Sequence, residues 1–379
     1  MLLINILLFV GGLILLAKGA DLFVVVSSLI AKRFGVSEFV IGLTLVSVGT
    51  SVPELASSLT ASYQQASGIV VGNILGSNIA NIGLIASTAT LLSSVRTEEL
   101  MLRRDGYIML FSSVLFFIFI LDFEISRVEA LVFLLMYVAY LLFLLDKIKK
   151  HEDDTYFKDF LIYFLRFEYF FDLKARIETR IFGHIEENGK TEVENKNSGR
   201  TGEIIENEIR TESENKGINV DIETENLSES NLLIEFSKLI VSVAAIVIGA
   251  KYFVEQSIFF ALLLNISETL IGFSLVAVGT SIPELMVTVS AARNGYASIA
   301  VGNVIGSNIA NILLVLGCSG LVHPLTISRL SIYYIAPFML IISALFLLFI
   351  RTGWKIKQSE GLILLLLYFG FMVLIFSLG

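Results

Sequence analysis

The sequence predicts an all-α polytopic membrane protein, ten transmembrane helices in two inverted five-helix repeats, on three observations. Apolar residues make up 55% of the 379-residue chain and charged residues only 16%, a balance that soluble domains of this length do not show. Ten stretches are apolar enough to cross a hydrocarbon layer of about 30 Å, which takes about 20 helical residues each. A long segment of the first half also returns in the second.

The ten stretches cover 2–30, 37–62, 68–94, 106–121, 125–145, 232–256, 265–291, 298–321, 329–350 and 360–378. The first lacks a basic leader and runs through Ala20 and Asp21 without a cleavage site, so it reads as a retained helix and not a secretory signal. Short loops set the orientation. Lys32, Arg33, Arg96, Arg103, Arg104, Arg293, Arg351, Lys355 and Lys357 fall on one side when ten helices alternate, against Arg127 and Arg329 on the other. The basic side is cytoplasmic, which places both termini outside the plasma or inner membrane. The single cysteine, Cys318, excludes an intramolecular disulfide or cysteine cluster and reads as a small buried side chain.

Residues 1–146 and 232–379 form the two five-helix units, with 147–231 as a cytoplasmic connection. Its aromatic and basic first part, Thr155 to Phe182, predicts an amphipathic helix on the membrane surface. An eleventh span is the weaker alternative, because Lys158, Asp159, Arg166, Glu168, Asp172 and Lys174 interrupt the stretch. Gly183 to about Ser230 is rich in Glu, Asn, Lys, Ser and Thr and has too few large apolar residues to offset chain entropy. It reads as a disordered linker, without an EF-hand pattern and too short for a β-sandwich of about 100 residues. Most of the net charge of -8 sits there, so that charge says little about a transport site.

The internal repeat is the most specific signal. IGLTLVSVGTSVPELASSLTASYQQASGIVVGNILGSNIANIGL from Ile41 returns as IGFSLVAVGTSIPELMVTVSAARNGYASIAVGNVIGSNIANILL from Ile271, with about 24 of 44 positions identical. The offset is uniform, pairing Thr50 with Thr280, Glu54 with Glu284, Ser77 with Ser307 and Asn81 with Asn311; upstream, Gly19 and Ala20 match Gly249 and Ala250. Five predicted helices separate equivalent points, an odd number, so the copies cross the membrane in opposite directions. Inverted repeats put a substrate site near the bilayer midplane, where interrupted helices expose backbone groups.

The repeated motif supplies such interruptions. Pro53 has no amide hydrogen and its ring clashes with the Gly49 carbonyl, and Pro283 does the same to Gly279. Carbonyls freed there can bind a hard cation if they line a cavity, with hydroxyls from Thr50, Ser51, Thr280 and Ser281. Glu54 and Glu284 sit near the middle of their apolar helices, where a charge costs a few kcal/mol or more. The bland reading, a structural carboxylate paired with a base, has only Lys18 and Lys251 to call on, and these do not occupy matching positions. Facing carboxylates repel by about 4 kcal/mol at about 4 Å and an effective dielectric of about 20. A divalent cation cancels both charges, and oxygen donors without His or Cys suit Ca2+ over zinc or copper. Several Na+ ions do the same, and mutual exclusion of the two is a physical basis for exchange. Asn73, Ser77 and Asn81 recur at i, i+4 along one helix face, as do Asn303, Ser307 and Asn311. For Asn78 and Asn308, interhelical bonding and ligation stand level.

These motifs resemble the two alpha-repeats of the calcium:cation antiporter superfamily, in its prokaryotic sodium/calcium exchanger branch. The resemblance spans both five-helix halves and omits the connection. It implies that Glu54 and Glu284 are shared by Ca2+ and Na+ sites. Carried over by position, Ser47, Thr50, Ser51, Ala277, Thr280 and Ser281 would be main-chain or hydroxyl ligands, joined by Ser77 and Ser307. Similar proteins often hold an Asp at the position of Asn311, tied to K+ use in the potassium-dependent branch; Asn here implies no K+ requirement. The resemblance also implies gating by a sliding of the first and sixth helices.

A Ca2+/H+ antiporter is the nearest alternative, since an empty carboxylate pair takes up protons. A cation channel or non-transporting receptor is further off: channels usually gain symmetry from several subunits, whereas inverted repeats suit alternating access. No catalytic triad, phosphate loop or His pair appears, and His151, His184 and His323 fall in loops or at helix ends. The expected partners are Ca2+, Na+ and the lipid bilayer, with no nucleic acid, no enzyme activity and no cofactor; oligomeric state is left open.

Overall fold

The outer surface is far more apolar than that of a water-soluble fold. In the computed structural model, which describes residues 2–33, 47–92, 95–96, 99, 102–150, 157–169, 229–293 and 297–378, large apolar side chains such as Leu362, Leu366, Phe369 and Val373 stand exposed. Serines, threonines, asparagines and two glutamates are buried. Apolar side chains also fill most of the interior, so the exterior is apolar around an apolar core that encloses a polar cluster, which suits lipid as the solvent.

In chain order α1 (Leu2–Arg33) precedes the short α2 (Ser47–Thr50), α3 (Val52–Tyr63) and α4 (Ser67–Ala80), which continues through a π-helical turn at Asn81–Ala86 into α5 (Ser87–Leu92). Strand β1 (Val95–Arg96), a π turn at Leu102–Gly106, α6 (Tyr107–Phe119), β2 (Glu124–Ile125) and α7 (Arg127–Lys150) follow, then α8 (Phe157–Leu165). The second half runs α9 (Glu229–Leu264), α10 (Glu268–Ile271), a π turn at Gly272–Val276, α11 (Ala277–Thr280), α12 (Ile282–Arg293) and α13 (Ala297–Ala310). A π turn at Asn311–Leu316, α14 (Gly317–Val322), β3 (Leu325–Thr326), a π turn at Ser331–Ile335, α15 (Ala336–Arg351), β4 (Lys355–Ile356) and α16 (Gln358–Leu378) complete it. The strands cross between halves, β1 pairing with β4 and β2 with β3, both antiparallel.

Among the described residues eight helices are long and apolar enough to cross a membrane, and the pair Glu268–Thr280 and Ile282–Val289, bent by 43°, makes a ninth if taken as one span. The span expected over 37–62 includes 37–46, which lie outside the described residues; α2 and α3 are its described part. The largest difference in bounds is at α9, expected to end at 256 and running to Leu264. Glu255, Gln256 and Ser257 break the apolar pattern without breaking the helix, and Ser257 returns its hydroxyl hydrogen to the Phe253 carbonyl at 2.7 Å. The surface helix expected over 155–182 is represented by α8, which buries Phe160 and Tyr163 against Tyr140 and Phe143 of α7 and leaves Lys158 exposed. Most of the expected linker, 183–228, lies outside the described residues.

Two close helix crossings join the halves. A Cβ at Gly249 of α9 would stand 2.6 Å from the Leu16 amide nitrogen of α1, and one at Gly12 would meet the Phe253 nitrogen at 2.9 Å. In the second crossing α4 lies across α10 and α11: a Cβ on Gly72 would come within 2.7 Å of the Phe273 nitrogen, and one on Gly76 within 2.6 Å of the Ala277 Cβ. Backbones this close exclude any side chain larger than hydrogen. Gly76→Ala is therefore expected to push the Phe273–Ala277 segment away at a cost of roughly 1–3 kcal/mol. A lowered thermal midpoint in detergent would show it. Gly11→Ala, at a position with nothing within 4 Å, is expected to leave the midpoint in place.

Candidate cation site

Each copy of the motif breaks its helix at a serine. Ser51 (φ -84°, ψ 5°) separates α2 from α3, and Ser281 (φ -82°, ψ 10°) separates α11 from α12. Pro53 and Pro283 occupy the second position of the new helix, where a missing amide hydrogen costs nothing. Glu54 and Glu284 fall in the first turn after the break, so each carboxylate sits where a helix start presents its positive end. Both are 1% exposed. Lys18 and Lys251 lie on exposed positions, and Lys251 stands 5.9 Å from the Tyr252 ring centre. Neither provides the buried base that a purely structural carboxylate needs.

The two copies exchange hydrogen bonds. Ser281 Oγ donates to Glu54 Oε1 at 2.9 Å, and Ser51 Oγ donates to Glu284 Oε1 at 3.4 Å. Thr280 donates to Asn73 Oδ1 at 3.2 Å and Thr50 to Asn303 Oδ1 at 3.4 Å. The amides repeat the reciprocity: Asn81 Nδ2 donates to Asn308 Oδ1 at 3.0 Å, and Asn311 Nδ2 to Asn78 Oδ1 at 3.2 Å. In each of these pairs residue i of one copy meets j of the other while the matching j meets i.

The amide and hydroxyl donors leave a set of buried oxygens unserved. Among the described residues Ser57 Oγ, Glu235 Oε2, Gln256 Oε1 and Ser319 Oγ lack a hydrogen-bond partner singly elsewhere, and five such atoms belong to the repeated motif: Glu54 Oε2, Glu284 Oε2, Asn81 Oδ1, Asn311 Oδ1 and Ser307 Oγ. These five belong to the residues that the repeat singled out. A buried acceptor without a donor costs about 1–3 kcal/mol. Hard cations, which take several oxygens from carboxylate, amide and hydroxyl groups, suit this donor set. Among the described residues no group of three or more His, Cys, Asp or Glu side chains could hold a metal, so a cation bound here would draw on neutral oxygens around two carboxylates.

Most of the predicted residues are brought together. Thr50, Ser51, Ser77, Asn81, Ala277, Thr280, Ser281, Ser307 and Asn311 are all buried. The Ala277 carbonyl accepts from the Ser281 amide at 3.1 Å, from Thr280 at 3.3 Å and weakly from Ser77 at 3.5 Å. Ser47 is described only as the first residue of α2, its side chain lying outside the described set. Asn78 and Asn308, level between two roles in the sequence, act here as acceptors for Asn311 and Asn81. Ser58 and Thr288 escaped the sequence reading. They lie four residues beyond the glutamates and accept the Nδ2 hydrogens of Asn73 and Asn303, each at 3.0 Å, which aims both amide oxygens at the threonines. Their matched offset was the available signal, hidden because Ser and Thr differ in name. The π turns at Asn81 and Asn311 were also not foreseen; each begins at the amide and shifts the following helix by one residue.

Comparison with known proteins identifies the family. The profile of a family described as sodium/calcium exchanger protein matches residues 4–145 and 235–377, the two halves without their connection. The sodium/calcium exchanger MaX1 of Methanosarcina acetivorans is 52% identical over 376 residues, covering 99% of both chains. The inner membrane protein YrbG of Escherichia coli is 29% identical over 358 residues, 93% of this chain and 90% of its own. A solved structure of the sodium-calcium exchanger NCX_Mj, soaked with Na+ and Sr2+, superposes with a TM-score of 0.56 at 28% identity, covering 97% of each chain. The chain is a multi-pass membrane protein and belongs to the sodium/calcium exchanger family.

Proposed function

We propose that the chain is a secondary active antiporter that exchanges Na+ for Ca2+ by alternating access and without K+. The observation that carries the reading is the ring of orphaned oxygens, Glu54 Oε2, Glu284 Oε2, Asn81 Oδ1, Asn311 Oδ1 and Ser307 Oγ, supplied about equally by both copies. One Ca2+, or Na+ ions in its place, compensates the two carboxylates, and the carrier changes state readily only when they are compensated. Thr50, Thr280, Ser51, Ser281, Ser77, Ser307 and backbone at Ser47 and Ala277 complete the ligand set in this reading. Asn311 in place of an acid supports independence from K+.

The architecture that goes with it has ten spans in two inverted five-helix repeats, 1–146 and 232–379, joined by a cytoplasmic connection over 147–231. The reciprocal contacts support a two-fold relation between the repeats. The clustering of basic residues supports the orientation: Arg96 pairs with Lys355 between β1 and β4, and Arg103, Lys158 and Arg351 line one cavity. That end is cytoplasmic in our reading, which leaves both termini outside.

The test is 45Ca2+ uptake into Na+-loaded vesicles on dilution into Na+-free medium. Uptake is expected to follow the Na+ gradient and persist with pH equal on both sides. Glu54→Gln and Glu284→Gln are each expected to lower Ca2+ affinity by more than about ten-fold, because one of two charges facing the cation is gone. Uptake driven by a pH gradient would make the protein a Ca2+/H+ antiporter. At fixed Na+ gradient and clamped voltage, K+ is expected to leave the rate unchanged, and stimulation by K+ would refute that part of the reading.

Thr288→Val tests how the site is held. It removes the shorter of the two hydrogen bonds from the Asn303 amide while keeping shape, and the remaining one, to the Glu284 carbonyl at 3.5 Å, holds Asn303 Oδ1 towards Thr50 less firmly. Ca2+ affinity is expected to fall by a few-fold to ten-fold, in line with about 1 kcal/mol for the lost bond, with the fold intact by thermal unfolding. An unchanged affinity would limit Thr288 to packing.

A further inference from the structure

Away from the carboxylates, an open cavity of about 380 Å3 lies where α8 meets the ends of two candidate spans. Three cations, Arg103, Lys158 and Arg351, and three aromatic rings, Tyr107, Phe157 and Trp354, line it together with Leu102. Arg103 is ion-paired with Glu99, and the neighbouring Arg104 is held by Asp105 through two bonds at 2.9 and 3.0 Å. Among the described residues neither Lys158 nor Arg351 makes an ion pair, although both are exposed and border the same cavity. Folding thus gathers two cations with no acidic partner among the described residues around an aromatic-lined hollow, a combination that favours an anion with an apolar part.

Its level in the membrane narrows the choice of anion. Leu102 opens one candidate span, Leu102–Asp122, and Arg351 closes another, Ser331–Arg351, so the cavity lies where hydrocarbon gives way to headgroups. Trp354, the only tryptophan in the chain, is set by a tight turn in which Gly353 has φ 142° and Trp354 φ 54°, with the Trp354 amide bonded back to the Ile350 carbonyl at 3.1 Å. The other half builds a similar turn one residue shorter, where Phe123 (φ 70°) precedes β2 as Trp354 precedes β4 and its amide bonds back to the Ile120 carbonyl at 3.0 Å. Between the isoleucine and the turn residue the first half carries only Leu121 and Asp122, neither of them basic, where the second carries Arg351. The cation is therefore an addition on one face and not a consequence of the repeat.

We propose that this cavity binds the acidic headgroup of a membrane phospholipid, its phosphate between Lys158 and Arg351 and its chains along Tyr107 and Phe157. Arg103, already engaged by Glu99, adds less. The bound lipid ties α8, and with it the connection between the halves, to the ends of the spans at Leu102 and Arg351. The proposal rests on the membrane location alone and not on which ions are exchanged.

Trp354 makes the site readable without a transport assay. The full chain is reconstituted in phosphatidylcholine vesicles containing ~20 mol% phosphatidylglycerol, with bromine on the chains of one lipid or the other. Brominated phosphatidylglycerol is expected to quench Trp354 beyond its share of the bilayer. Lys158→Gln and Arg351→Gln are each expected to lower its apparent affinity about five-fold. Lys158→Arg is expected to keep it, as is Arg329→Gln, remote from the cavity. Quenching in proportion to bulk lipid composition, or quenching unchanged in both Gln variants, overturns the proposal. So does a change in Trp354 emission with inorganic phosphate in pure phosphatidylcholine that depends on Lys158 and Arg351, which would assign the cavity to a free anion.

Discussion

Two carboxylates of the same sign, each 1% exposed, lie within the same buried network of hydroxyls and amides, and the rest of the structure is arranged around making that tolerable. An ionised group taken from water into an apolar interior loses several kcal/mol of hydration even after the surroundings relax. Among the described residues no ion pair to either glutamate is built in. What the fold provides instead is partial compensation: a helix start under each carboxylate, one serine hydroxyl donated from the other copy, and a surplus of neutral oxygens. On the proposed function, such partial compensation leaves a site that favours a cation without holding one permanently, which is what a carrier needs and a structural metal site does not.

That constraint accounts for the helix breaks. An unbroken helix through Gly49–Leu55 would spend its amide hydrogens on its own carbonyls and leave Glu54 with no helix start beside it. Breaking at Ser51 and Ser281 creates that start, and Pro53 and Pro283 occupy positions where no amide bond is forfeited. The close crossing of α4 over α10 and α11 follows in turn. Gly72 and Gly76 let the helix bearing Asn73, Ser77 and Asn81 approach the broken helix of the other copy closely enough for Asn73 to meet Thr280. An added methyl at either glycine would collide before those polar groups came within reach.

Much of this geometry was legible in the sequence, because the repeat is long and carries the polar residues that the fold buries together. The offset from Glu54 to Glu284 identified the pair, the Gly-Pro spacing located the breaks, and the i, i+4 spacing of Asn73, Ser77 and Asn81 put them on one face. Which side chain bonds to which across the copies was not legible, since periodicity gives the direction of a side chain but not the register between two helices. Ser58 and Thr288 were passed over for that reason: their role appears only once Asn73 and Asn303 are seen to donate to them. The π turns escaped for another, as nothing in NIGLIA or NILLVL differs in composition from ordinary helix. The polar end of α9 shows the opposite error, a hydropathy boundary drawn where the backbone continues.

The reciprocity is close but unequal, and the inequality bears on mechanism. Ser51, Glu54, Ser281 and Glu284 are the same residue types in both copies, yet one serine-carboxylate bond is 2.9 Å and the other 3.4 Å. Identical groups in an exact two-fold arrangement would make identical bonds, so the difference comes from what surrounds them, such as Ala56 and Ser57 in one copy against Met286 and Val287 in the other. On the alternating-access reading, a pair of inverted copies held in unequal conformations has a second arrangement of similar energy, with the roles exchanged and the site facing the opposite side. On the same reading, the differences in sequence set how unequal the two states are in energy, and a cation in the site, by cancelling the charge common to both, lowers the cost of passing between them. The symmetry of the contacts and its imperfection are then two parts of one device: the first makes both states available, and the second decides which is preferred.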